Sequence, residues 1–265
     1  MTEEPPALFF TGTAGAGKTT LVRAFRDWLK SAGYDATVVN LDPGNDSPAL
    51  EADVDIREWV RLADVMDEYD LGPNGAQVAA ADMIALKVFD VRQAIDELRT
   101  DFLLLDTPGQ VELFAFRESS RAIVDALGGD RAGITFLFDP ALAKSASGFA
   151  SLMMLSATVE FRFRRPILNL LTKTDVLTPE RVAEIVEWGS APEQLVAAVE
   201  AESPTPDIQL SAEMARAIQS LAPTTSLLAT SSKNGDGLES LYQSLQRIFS
   251  GGEDVEPSQA PPEEE

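Results

Sequence analysis

The stretch Gly12-Thr13-Ala14-Gly15-Ala16-Gly17-Lys18-Thr19 decides how the rest of the chain is read. It matches G-x-x-x-x-G-K-[ST] at every fixed position. Glycines at this spacing let successive backbone N–H groups turn inward as an anion-binding nest, and a following helix adds its N-terminal partial charge. Lys18 is then placed to reach the β- and γ-phosphates of a nucleotide, and the Thr19 hydroxyl to ligate Mg²⁺. The flanks agree with the motif. Residues 7–11 are an apolar run that reads as a buried strand, and residues 18–31 read as a helix closed by Gly33.

Outward from this loop, apolar runs alternate with helical patterns, the signature of βαβ units and a parallel sheet. Further strands are expected at 37–41, 102–105, 134–138, 167–171 and 226–230, with clear helices at 77–99 and 237–249. The fold class expected is therefore α/β, a P-loop NTPase with a mostly parallel sheet flanked by helices. Two segments exceed the minimal pattern. Residues 57–75 are helical but interrupted by Leu71-Gly72-Pro73-Asn74-Gly75, whose Gly-Pro-Asn-Gly reads from composition as a turn joining two helices, and 180–223 form an insertion of two or three surface helices broken near Pro204–Pro206. One domain is expected over 7–250. The Gly-, Pro- and Glu-rich residues 251–265 read as a disordered acidic tail.

Polar turn chemistry clusters after the strands, the edge where open parallel sheets bind ligands. Asp106 ends one apolar run and opens Asp106-Thr107-Pro108-Gly109-Gln110. An acid there can hold Mg²⁺ opposite Thr19, the Gly109 N–H can sense a γ-phosphate, and Gln110 can orient an attacking water. Asp42 ends another run. It is a third candidate carboxylate, for a Mg²⁺-bound water or for the nucleophile, although Asp-Pro-Gly also reads as a plain turn. Thr172-Lys173-Thr174-Asp175 follows a later strand. Asp175 there can accept two hydrogen bonds from guanine, which adenine cannot donate, while the Lys173 stem lies along the base. GTPases usually open this motif with Asn, so Thr172 is a departure. Ser231-Ser232-Lys233, after the last strand, stands where a second base-contacting loop is expected.

Composition narrows the class further. There are 43 acidic and 21 basic residues, no His and no Cys, for a formal charge of −22. Such a surface repels phosphate backbones and argues against direct nucleic-acid binding. The one dense basic cluster is Arg162, Arg164 and Arg165. An evenly spread acidic excess is the pattern of a chain adapted to salt, as in a halophile. Without His or Cys a transition-metal site is not expected. The absence of a charged-then-apolar leader, of disulfides and of a membrane-length apolar run reads as cytoplasmic.

With these pieces in place the chain resembles the GPN-loop GTPases, of the single-copy archaeal type, over about residues 8–249. The most specific element is Gly72-Pro73-Asn74, the tripeptide that gives the family its name. Gly12 through Thr20, Asn40-Leu41-Asp42-Pro43, Asp106 through Phe114 and Thr172-Lys173-Thr174-Asp175 also match, since Thr or Asn opens the last motif in that family. The resemblance implies a homodimeric, Mg²⁺-dependent GTPase acting in the assembly or biogenesis of a client. It also implies that Asn74 of one subunit reaches the active site of the other, and that an apolar groove holds a partner peptide. Residues 149–163 are a candidate contributor to that groove, although a Met- and Phe-rich stretch of this kind is more often simply core. Two other classes remain open from the sequence. One is a P-loop kinase of a small molecule or RNA end, with the Arg162–Arg165 cluster as its only candidate lid. The other is an interaction protein that merely retains nucleotide.

Overall fold

The strand at the phosphate loop lies at the centre of a seven-stranded, all-parallel sheet. The computed structural model describes residues 4–44, 51–202, 206–221 and 227–250. Its strands are β1 (Ala7–Gly12), β2 (Ala36–Asn40), β3 (Val54–Asp55), β4 (Phe102–Asp106), β5 (Ala132–Phe138), β6 (Ile167–Leu171) and β7 (Leu227–Ala229). Their spatial order is β3-β2-β4-β1-β5-β6-β7. β1 pairs with β4 on one side, Phe10 opposite Asp106, and with β5 on the other, Gly12 opposite Leu137. Every residue of β1, β2, β4 and β5 is buried. Helices cover both faces, so these strands read as continuous apolar runs and not as alternation.

The helices are α1 (Lys18–Ser31), α2 (Leu62–Tyr69), α3 (Pro73–Leu86), α4 (Val88–Asp96), α5 (Val111–Ala115) and α6 (Ser119–Gly128). They continue with α7 (Pro140–Ala143), α8 (Ala146–Phe163), α9 (Pro179–Ser190), α10 (Pro192–Ala201), α11 (Pro206–Leu221) and α12 (Leu238–Phe249). On one face α1 and α12 pack Leu21, Phe25, Leu29, Leu241 and Leu245 onto the sheet. The spacing of these residues is the i, i+4, i+8 stripe of an amphipathic helix. The other face carries a larger core that extends into the helical insertion.

The sequence expectation of an α/β P-loop fold is met, and α1 has the expected bounds. Four details differ. The single helix expected over 77–99 is two helices, with Lys87 at φ −104° and ψ 2° between them. Gly72-Pro73-Asn74 is not a turn between helices. Gly72 is the N-cap and Pro73 the first residue of α3, the position where a fixed φ and a missing N–H cost nothing. The two-residue β3 went unrecognised, because it is too short to carry a periodic signal. The insertion is three helices rather than a surface covering: Ile185, Trp188, Leu195, Val199, Ala212 and Ala215 join the main core. Of residues 149–163, Phe149, Leu152, Met153, Val159 and Phe163 are buried in α8, whereas Phe161 is exposed. Ser226, Pro204 and the 251–265 tail lie outside the described residues.

Candidate functional site

The loop after β1 is a nest built by backbone conformation. Gly15 and Gly17 hold φ of 77° and 94°, a region that side-chain-bearing residues adopt only at a cost. Gly17 then starts α1, whose first-turn N–H groups have no intrahelical acceptor. Lys18 turns back over the loop. Its Nζ donates to Gly12 O at 3.0 Å, Thr13 O at 3.1 Å and Gly109 O at 2.6 Å. Burial lowers the Lys18 pKa, opposed by the carboxylates of Asp106, Asp42 and Glu112.

Two further loops meet it. At the end of β4, Asp106 is 1% exposed and accepts the Thr19 hydroxyl on Oδ2 at 2.6 Å, while its Oδ1 is buried without a partner. Burial pushes the Asp106 pKa up to about 7; the Thr19 bond and Lys18 oppose this, and the Asp42 charge adds to it. After β2, Asp42 accepts the backbone N–H of Gly44 on Oδ1 at 2.9 Å and that of Gly109 on Oδ2 at 3.0 Å. Its pKa is also raised by burial, against those two hydrogen bonds and Lys18. Gly109 is thus clamped at both ends, its N–H on Asp42 and its carbonyl on Lys18. Gln110, the N-cap of α5, is exposed beside it.

Two raised carboxylates, an orphaned buried oxygen and a neighbouring hydroxyl are a donor set that suits a hard divalent cation. Among the described residues no group of three or more His, Cys, Asp or Glu could hold a metal by itself.

The third component is the loop after β6. The Thr172 hydroxyl, 3% exposed as a residue, donates to Ala16 O at 2.8 Å, so the Thr that departs from the usual Asn ties this loop to the phosphate loop. Lys173 Nζ donates to Gly15 O and lies 3.0 Å from Asp139 Oδ2. Asp175 accepts the Ser231 hydroxyl on Oδ1 at 2.8 Å, and Lys233 Nζ is 3.9 Å from its Oδ2. Thr174 N–H bonds Thr230 O at 3.2 Å, which docks the two loops together. Ser232 is half-buried in this second loop.

The carboxyl edge therefore gathers Lys18, Thr19, Asp42, Asp106 and Gly109 at one point, with Thr172, Lys173, Asp175 and Ser231 beside it. Asn74 is not among them. It is exposed in the first turn of α3, and no hydrogen bond among the described residues joins it to the groups around Lys18. The Arg162–Arg165 cluster lies elsewhere as well. It leads into the start of β6, the end of that strand away from the phosphate loop, and Arg162 and Arg164 line a cavity of about 320 Å³ together with Arg117 and Arg121.

Two residues at the site were given no role by sequence reasoning. Asn40 donates to Asp55 Oδ1 at 3.0 Å and accepts the Asp42 N–H at 3.0 Å, so it sets the angle at which Asp42 leaves β2. Asp55 is held in turn by Arg57; burial opposes its ionisation, and the bonds from Arg57 and Asn40 outweigh that and lower its pKa. Asp139, after β5, was the other. The same strand-end signal that singled out Asp42 and Asp106 applies to it.

Comparison with known proteins adds to this geometry. A family model described as "Conserved hypothetical ATP binding protein" matches residues 10–251. GPN-loop GTPase PAB0955 of Pyrococcus abyssi is 29% identical over 234 residues, covering 88% of this chain and 92% of that one. The crystal structure of this archaeal GTPase in apo form superposes with a TM-score of 0.81 at 27% identity, covering 92% of this chain and 97% of that one. GPN-loop GTPase 1 of Schizosaccharomyces pombe is 30% identical over 181 residues, 67% of this chain. The chain spans 49% of that yeast relative and 61% of its Dictyostelium discoideum counterpart.

Proposed function

We propose that this chain, which belongs to the GPN-loop GTPase family, binds Mg²⁺–GTP and hydrolyses it to GDP and phosphate by in-line attack of water. The observation that carries the reading is the clamp on Gly109. Its N–H and its carbonyl are held by Asp42 and Lys18, the two groups that a γ-phosphate engages or displaces.

In this reading the nest and the start of α1 hold the β-phosphate. Lys18 trades its three carbonyl bonds for phosphate oxygens. A γ-phosphate competes with the Asp42 carboxylate for the Gly109 N–H, since both are anions seeking one donor. Loss of that contact frees Asp42 and moves the segment from Gly109 into α5, the two-state element a switch requires. Thr19 and Asp106 would hold Mg²⁺, which would supply neutralisation of the charge on the phosphates. Gln110, exposed at the N-terminus of α5, orients the attacking water. Catalysis is by positioning and electrostatics, without a covalent intermediate.

Exposure of Asn74 at a helix start, with no hydrogen bond to the groups around Lys18 among the described residues, favours its use by a second copy. The chain then acts as a homodimer in which Asn74 enters the neighbouring site. We assign it a cytoplasmic role in the assembly of a client complex. Among the described residues no helix is long and apolar enough to cross a membrane.

The family model's description names ATP, whereas the named relatives are GTPases. The pocket favours guanine. Asp175 presents a carboxylate oriented by Ser231, and adenine has no matching donor pair. Turnover of GTP and ATP, measured side by side with Mg²⁺ for wild type and Asp175→Ala, decides between them. The expected result is a GTP preference of at least about 100-fold that the variant loses. Equal use of ATP by the wild type, with no effect of the substitution, refutes the guanine assignment.

A further inference from the structure

We infer that Asp139 is a positioning residue of the nucleotide site, whose carboxylate holds the Lys173 ammonium over the phosphate loop and so presets the base pocket. The inference rests on the nucleotide-site reading above.

Asp139 is the first residue after β5, and its side chain is 14% exposed. Its two oxygens do different work. Oδ1 accepts the Ala141 N–H at 2.8 Å and caps α7. Oδ2 lies 3.0 Å from Lys173 Nζ, which also donates to the Gly15 carbonyl. One ammonium therefore bridges a fixed carboxylate and the backbone of the phosphate loop. The lysine stem between them runs from the β6 loop to the loop after β1.

Lys173 also has φ 53°, one of three non-glycine residues with positive φ among the described residues. Such a conformation persists where surrounding contacts over-determine it. It turns the chain so that Lys173 points at Gly15 while residues 174–176 curl back to place Asp175. Capping does not require the charge, because Asn caps a helix as well as Asp does. The second oxygen is what an ion pair requires. A long side chain already ordered by such a pair loses less freedom when a base packs on it, and the gain appears as affinity. Selectivity between bases stays with Asp175. Asp139 therefore affects GTP, GDP and ATP alike.

The test exploits the two oxygens. Asp139→Asn keeps the cap and the volume and removes the charge, Asp139→Ala removes both, and Asp139→Glu keeps the charge. GDP affinity is measured with a fluorescent analogue, and thermal stability without nucleotide. The expected result for Asp139→Asn is a Kd for GDP raised about tenfold, as for loss of one charge-assisted contact. KM for GTP rises with it and kcat moves much less. Its melting temperature stays at the wild-type value, Asp139→Glu recovers part of the affinity, and Asp139→Ala loses stability as well. In a Lys173→Met background Asp139→Asn has no further effect. Wild-type affinity in Asp139→Asn, or an equal loss in the Lys173→Met background, overturns the role of Asp139 and leaves the nucleotide site standing. Failure of the wild type to bind GDP or GTP overturns both.

Discussion

Replacing Asp106 by Asn is expected to make the protein more stable at pH 8 and less able to hold Mg²⁺–nucleotide. Asp106 is buried, and its pKa rises from 3.8 to about 7 in the fold. Between those values the folded chain binds a proton that the unfolded chain has released. The contribution is therefore fully present below about pH 4 and is lost as pH rises through about 7. The shift is about three units, and at 1.36 kcal/mol per unit the ionised side chain costs the fold about 4 kcal/mol at pH 8. Asparagine keeps the volume, leaves Thr19 an oxygen to donate to, and carries no charge. For a chain of this size that difference corresponds to a melting temperature about 10 °C higher.

The assay is thermal unfolding of both proteins in EDTA, without nucleotide, from pH 5 to 8.5. Repulsion among the other carboxylates changes with pH in both proteins and cancels in the comparison. The gap should be narrowest at pH 5, about 1.6 kcal/mol, widen as pH rises and level off above about pH 7. With Mg²⁺ and GTP the wild type gains ligand stabilisation that the variant does not. A gap that ignores pH, or a variant less stable than wild type at pH 8, refutes the view that Asp106 is a strained acid awaiting a cation.

Three other expectations follow from geometry. Asn74→Ala should leave unfolding free energy within about 0.5 kcal/mol, because the side chain is exposed, while lowering kcat at least about tenfold with little change in KM. An unchanged kcat removes Asn74 from the reaction. Asn40→Ala should cost about 1–3 kcal/mol in denaturant unfolding, by removing a fully buried amide and stranding the half-buried Asp42 N–H that it accepts, and should slow turnover through a misplaced Asp42. Gly237→Ala should destabilise by more than about 2 kcal/mol, since an added Cβ would sit 1.9 Å from Ala229 O at a φ of 77°. Calorimetry checks this directly, and a near-neutral result contradicts the close packing of α12 against β7.

The sequence alone determined the class of fold and the chemistry of its central loop. The pattern from Gly12 to Thr19 works through backbone conformation and the start of one helix, which are local properties. Asp42, Asp106 and Asp175 were legible for a related reason. Each follows an apolar run, and in a parallel sheet every strand ends at the same edge, so strand-end acids converge whatever the strand order. The order β3-β2-β4-β1-β5-β6-β7 was not legible, because nothing local says which strands become neighbours.

Only the tertiary structure decided the partnerships. Gly109 sits between Lys18 and Asp42, residues 91 and 67 positions away in the chain. Thr172 reaches Ala16 across 156 positions, and Lys173 meets Asp139 across 34. Gly72-Pro73-Asn74 reads as a turn from composition and became the start of α3, because Pro73 suits a first helical turn as well as a loop. The three insertion helices read as surface, whereas Trp188 packs on Phe149 of α8 and Leu195 joins the same core. Residue type and spacing specify what a side chain can do. Burial and long-range contact decide whether Asp106 resists its charge and which oxygen of Asp139 meets a lysine.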